Sequence, residues 1–295
     1  MRSDYSYRFL THHLSNIGGM GLAAVRNANP ITRPSSLPTL PVMRQQRFAP
    51  VSDKLVDSYV QWSGAPATRY EDTLPIHFCS YWAMPLLAKL GGLAPYNLLS
   101  LLNQGLRLQQ HLPQQRGDAI DLRGSLLDVR EEPGRVRIHT QIKAYNAHGG
   151  HTVTLDSYSA VPQGKPQKKG PGRTVTPMPV VGTWDALDND GLNFAVLTGD
   201  FNPIHTIPAV GKRTRFKTLI LHGFGQFART YECLRDAGYS IEDIDIRWLK
   251  PLTLPNYRLQ VQVAPLDDEP GWFAVQLMSS RDDLHMAGRF KGVKA

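Results

Sequence analysis

Cysteine is nearly absent. Cys79 and Cys233 are the two in 295 residues, which excludes a disulfide framework and points to a reducing compartment. No apolar run reaches the roughly 18 residues that a membrane span needs. The patch from Ile17 to Val25, after Arg2 and Arg8, is glycine-rich and leads to no evident cleavage site. A secretory signal is therefore not expected, and the cytoplasm is the expected compartment. Acidic residues are the scarcer charge: 25 Asp and Glu against 33 Lys and Arg leave +8. That balance favours anionic partners, such as phosphorylated cofactors, membrane headgroups or nucleic acid. Helix-turn-helix, zinc and stacking-aromatic patterns are missing, so net charge alone speaks for nucleic acid, and none is expected as a partner.

What is present is a doubled pattern. Glu131-Glu132-Pro133-Gly134 recurs as Asp268-Glu269-Pro270-Gly271, each a tight-turn sequence between two strand-like runs. The runs are Leu122 to Val129 and Val136 to Tyr145 in one half, Leu259 to Ala264 and Trp272 to Met278 in the other, with a further strand from Thr152 to Val161. Upstream, Tyr59 to Ala65 overlays Phe194 to Asp200, which sets Ala65 opposite Asp200 and Tyr70 opposite His205. Pro75-Ile76-His77-Phe78 falls near Ile220-Leu221-His222-Gly223, and helix-like segments follow, Cys79 to Leu90 and Phe224 to Ala237. The first copy thus lacks both acid and imidazole. The expected organisation is an irregular lead over 1–47, a degenerate non-catalytic copy over 48–161, a Pro/Gly/Lys-rich linker over 162–176 and a catalytic copy over 177–295. Each copy reads as a sheet wrapped on one helix, an α+β class.

The chemistry is concentrated in Gly199-Asp200-Phe201-Asn202-Pro203-Ile204-His205 and in the later His222-Gly223. Pro203 stiffens the loop and pushes Asn202 out of the α region. A carboxylate and an imidazole are then held at a repeatable separation, a pair suited to moving protons at neutral pH. Gly199 would let the backbone approach a ligand closely. Gly223 stands where a helix begins, so its free N–H and the helix dipole can hold a developing oxyanion.

The string Gly199 to His205, followed by His222-Gly223, resembles the signature of the MaoC-like, R-specific enoyl-CoA hydratases (hydratase 2), densely from Leu192 to Phe227. The resemblance implies a double hotdog, two antiparallel sheets each wrapped around a central helix. It implies hydration of trans-2-enoyl-CoA to the (3R)-hydroxyacyl thioester, or the reverse dehydration, on coenzyme A or an acyl carrier protein. It makes Asp200 and His205 the catalytic dyad and the Gly223 amide the oxyanion donor. No metal or redox cofactor is implied. Two departures concern substrate shape: Ile207 replaces an acidic residue, and Lys217-Thr218-Leu219 replaces a Gly-x-Pro approach.

Gly199, Asn202, His222, Arg213 and Arg215 complete the candidate set as substrate-binding residues. Asn202 would brace the dyad or touch substrate, and His222 would act on substrate or simply cap and pack its helix. Lys212, Arg213, Arg215 and Lys217 would grip phosphates, unless they are a solvated face. Asp188 and Asp190 would sit at a helix N-terminus, and His77 would pack in the core. Trp82 and Leu86 would line an acyl tunnel in the silent half. The competing readings are a hotdog acyl-CoA thioesterase and a non-catalytic acyl-thioester or nucleic-acid binder; a homodimer is an open assembly.

Overall fold

The computed structural model describes residues 1–13, 29, 31–97, 100–164 and 176–294. The apolar patch at 17–25 and most of the expected linker lie outside them. Secondary structure begins with a short 3-10 turn at Tyr7–Phe9 and continues with strand β1 (Val42–Phe48) and helix α1 (Asp53–Ser63). Two further helices follow, α2 (Cys79–Trp82) and α3 (Met84–Gly91), and then strands β2 (Leu102–Gln110), β3 (Ile120–Glu132), β4 (Arg135–Tyr145) and β5 (His151–Pro162). The second half repeats the plan. It has β6 (Val180–Ala186), α4 (Asp190–Thr198), two short helices α5 (Pro203–Thr206) and α6 (Pro208–Arg213), and the long α7 (Gly223–Asp236). It closes with β7 (Tyr239–Trp248), β8 (Asn256–Pro265), β9 (Trp272–Met278) and β10 (Leu284–Lys294).

The ten strands among the described residues form one antiparallel sheet in the order β1-β3-β4-β5-β2-β7-β10-β9-β8-β6. The order is internally symmetric. Each half runs first, third, fourth, fifth, second strand, and the halves meet edge to edge at β2 and β7. Leu106 and Leu108 face Ile246 and Ile244 in register across that seam, all buried. On β4, Val136, Ile138, Thr140, Ile142 and Ala144 are buried in strict alternation, as the sequence period requires. Helix α7 packs against β6, β7 and β8, so its apolar side, with Phe227 and Leu234 fully buried, lies on the sheet. The fold is the α+β hotdog class in doubled form. No helix among the described residues is long and apolar enough to cross a membrane.

Two expectations need correction. The lead to residue 47 is not wholly irregular, since Val42–Phe48 pairs with β3 from Leu126 to Ile120; Pro38 and Pro41 stop just short of it. The helix expected over Cys79 to Leu90 is broken at Ala83, because Pro85 has no N–H to continue the ladder. Trp82 borders a cavity of about 10 Å³ among Leu74, Ile76, Gln114 and Ile120, and Leu86 lies close against Gly124 of β3.

Candidate active site

Helix α4 ends at Gly199, whose φ of +85° is the left-handed conformation that terminates a helix at low cost in glycine. Its counterpart Gly64 ends α1 at φ +90°, so the overlay of the two halves holds at the backbone. After Gly199 the chain turns through Asp200 and Phe201. Asn202 takes extended angles (φ −58°, ψ 123°) before Pro203 and caps α5, its Oδ1 accepting from the Ile204 N–H at 3.3 Å. The Asn202 N–H donates to Asp200 Oδ1 at 3.4 Å. Asn202 is thus a brace, and its exposed side chain leaves the amide nitrogen free.

His205 rides on α5 and its Nδ1–H donates to the Ile220 carbonyl at 2.7 Å. With Nδ1 committed as donor, Nε2 carries the lone pair and is the basic atom. Burial lowers the His205 pKa, against the pull of the Asp200 charge and of that carbonyl. At Asp200 burial pushes the carboxyl above its ordinary 3.8, opposed by His205 and the Asn202 N–H. The two groups are therefore driven toward each other in proton affinity, which lowers the cost of passing a proton between them through a shared water. Asp200 keeps 22% of its side-chain surface exposed, enough to be met by a ligand.

His222 is 2% exposed and its Nε2–H donates to the backbone carbonyl of Asp200 at 2.9 Å. Its ring lies 3.8 Å from the His205 ring and 4.7 Å from Phe194, centroid to centroid. Burial, then the neighbouring His205, holds its pKa well below the ordinary value. It is a neutral clamp between the acid-bearing turn and the start of α7, with no hydrogen free for substrate. Gly199 is buried, and a Cβ there would stand 3.3 Å from the His13 ring, so the backbone approaches His13 closely at this point.

Gly223 is the first residue of α7, so its N–H has no intrahelical acceptor. A Cβ there would lie 2.7 to 3.1 Å from the indole of Trp248 on β7. Only glycine keeps that ring and the helix start together, which no local sequence pattern announces. Arg213 and Arg215 sit on and just after α6, exposed, and among the described residues neither forms an ion pair; Arg215 stacks over Phe216 at 4.8 Å. Among the described residues no cluster of His, Cys, Asp and Glu is arranged to hold a metal.

In the first half, the region of Tyr70 and His77 is filled from the second half. Tyr70 Oη–H donates to Glu232 Oε1 at 2.6 Å, and His77 Nε2 bonds the same oxygen at 2.6 Å. Tyr59 Oη reaches His77 Nδ1 at 2.9 Å, and Arg69 pairs with Glu232 Oε2. Glu232 and His77 are 1% and 0% exposed, so no ligand reaches them. Burial pushes the Glu232 carboxyl up, yet the bonds from His77, Tyr70 and Arg69 outweigh it and leave it below the ordinary 4.5. A second tie between the halves is Asp190, the first residue of α4, which is buried. It accepts from Trp62 Nε1 at 3.0 Å and Arg229 Nη2 at 2.9 Å. Glu232→Gln should cost about 3 kcal/mol at pH 7, as for one member removed from a buried ionic pair. The folded-state pKa of Glu232 is depressed, so its contribution is present above 4.5 and is lost as pH falls through the lower folded value. Urea unfolding of wild type and variant against pH would check both; equal stability at pH 7 contradicts the assignment.

Residues 159–272, which take in the Asp200 turn, α7 and β7, match the MaoC like domain family. The chain is 25% identical over 245 residues to the 3-hydroxyacyl-thioester dehydratase X of Mycobacterium tuberculosis, covering 79% of this chain and 84% of that protein. The crystal structure of HtdX from the same organism superposes with a TM-score of 0.70 at 18% identity, covering 85% of this chain and 100% of that one. A MaoC-like dehydratase from Phytophthora capsici gives 0.65 at 14% identity, with 86% and 96% covered. The full-length peroxisomal multifunctional enzyme type 2 of Drosophila melanogaster gives 0.65 at 15%, with 85% and 48% covered.

Proposed function

On the premise that the chain carries a MaoC-like domain, we propose that it is a hydro-lyase of acyl thioesters. It adds water to trans-2-enoyl thioesters to give (3R)-hydroxyacyl thioesters, or runs the reverse dehydration. The observation that carries this reading is the juxtaposition of Asp200, His205 with its free Nε2, and the open start of α7 at Gly223, all locked together by His222.

The thioester oxygen lies at the Gly223 N–H and the β carbon faces a water held between Asp200 and His205. As the water oxygen bonds to the β carbon, one of the pair takes its proton, and the C=C electrons move to the thioester oxygen. The helix start stabilises the resulting enolate. The proton then passes to the α carbon, the carbonyl re-forms, and the site ends in the protonation state in which it began. Activated chemistry resides in the conjugated thioester, so the step needs no electron acceptor.

Arg213 and Arg215 are exposed cations without carboxylate partners among the described residues, fitted to the phosphates of coenzyme A or of a carrier protein's phosphopantetheine. The double variant Arg213→Glu, Arg215→Glu should raise KM for an enoyl-CoA roughly tenfold and leave kcat unchanged, the pattern of lost uniform binding. With a pantetheine thioester that lacks the phosphates, variant and wild type should be alike. An unaltered KM for enoyl-CoA removes these arginines from the site.

The overall reading is tested by incubating the protein with a series of trans-2-enoyl-CoA thioesters. Loss of the conjugated chromophore without thiol release, and a single (3R) product on chiral chromatography, is the expected outcome. Thiol release without hydration would make it a thioesterase.

A further inference from the structure

The first 13 residues run along helix α4 as a strap. Near its start, Ser3 Oγ and the Asp4 N–H both donate to Asn193 Oδ1 at 2.9 Å. Asp4 Oδ2 accepts from Asn189 Nδ2 at 2.7 Å and from Asn193 Nδ2 at 2.8 Å. At its end, His13 Nε2–H donates to the Val196 carbonyl at 2.8 Å. That carbonyl belongs to the last turn of α4, where intrahelical donors run out. The His13 ring also lies over Gly199, with its Cγ 3.3 Å from where a Cβ would be, and edge-on to Tyr81 of α2 at 5.4 Å.

His13 is fully buried, and its other ring nitrogen, Nδ1, has no hydrogen-bond partner among the described residues. A leucine or phenylalanine would fill the space without that desolvation cost. What the imidazole adds is the Nε2–H, a cap supplied in trans to the helix that delivers Asp200. We propose that His13 is a positioning residue for the dyad: it fixes the end of α4 and the Gly199-Asp200 turn, so that the carboxylate meets His205 at working distance. The N-terminal strap is then part of the site's framework, although it lies almost 190 residues from the acid in sequence. The activity arm of the test rests on the hydro-lyase reading; the exchange arm does not.

His13→Phe keeps a ring and removes the donor, whereas His13→Gln returns an N–H near the Nε2 position. In the full chain, His13→Phe should lower kcat by about tenfold to a hundredfold through misplacement, with KM within about twofold. His13→Gln should stay within about threefold of wild type. By hydrogen–deuterium exchange, residues 197–203 should lose protection in His13→Phe and keep it in His13→Gln, with β8 and β9 unaffected in both. Wild-type exchange at 197–203 in His13→Phe, or equal loosening of the whole sheet in both variants, overturns the proposal. A wild-type protein inactive on every enoyl thioester would sink the hydro-lyase reading, and the exchange arm would still decide the role of His13.

Discussion

Asp200→Asn lowers turnover of a trans-2-enoyl thioester by about 10³- to 10⁴-fold and leaves the protein folded. The magnitude is that of one positioned acid–base group in a proton-transfer step. Asparagine retains an oxygen to accept from the Asn202 N–H, and the His222 bond goes to the backbone of residue 200, so the turn loses little. The sign for stability follows from the carboxyl's raised pKa in the folded state. Such a group favours folding least when ionised, and stability falls as pH rises from its unfolded value through the folded one. Removing the charge should therefore leave the melting temperature at pH 7 equal to or above that of wild type. An inactive variant that is also more stable marks a residue kept for chemistry rather than for folding. Loss of the Asp200 charge also takes away what raises the His205 pKa, so the residual activity should keep its acid limb at lower pH. A variant with near-normal turnover, measured by loss of enoyl absorbance, refutes the role of Asp200.

Gly223→Ala is expected to lose about 10²- to 10³-fold in kcat, the usual effect of disabling an oxyanion donor. The added methyl would meet Trp248 at 2.7 to 3.1 Å, and an indole packed against Phe224 has little freedom to yield. The start of α7 must shift, and with it the N–H and the His222 clamp on Asp200. The second variant Gly223→Ala, Trp248→Ala separates crowding from chemistry: relief of the clash should return much of the activity. If Gly223→Ala alone is fully active, the oxyanion does not sit at this helix start.

Much of this architecture can be read in one dimension. Period-two burial on β4 and the paired Pro-Gly turns carry the strands, and the duplicated turns foretell a sheet that repeats its own order. The Gly199-to-His205 string could be singled out because the chemistry and its backbone constraints are contiguous there. What escaped was long-range. Glu232 reaches His77 in the first half from a point 155 residues beyond it, Trp248 dictates glycine at 223 from another strand, and His13 reaches Val196 from the N-terminal strap. Such contacts leave no periodic trace. His222 had two readings in the sequence, a role on substrate or helix packing, and only burial and one hydrogen bond to the Asp200 carbonyl show where its N–H goes.

The destination of the water oxygen tests the central claim most directly. A trans-2-enoyl thioester is incubated with the protein in oxygen-18 water, and separately in deuterium oxide, and all products are analysed by mass spectrometry. One labelled oxygen on the β carbon and one deuterium on the α carbon of an intact thioester is the predicted result. Labelled oxygen in a released carboxylic acid, or no incorporation at all, would contradict it.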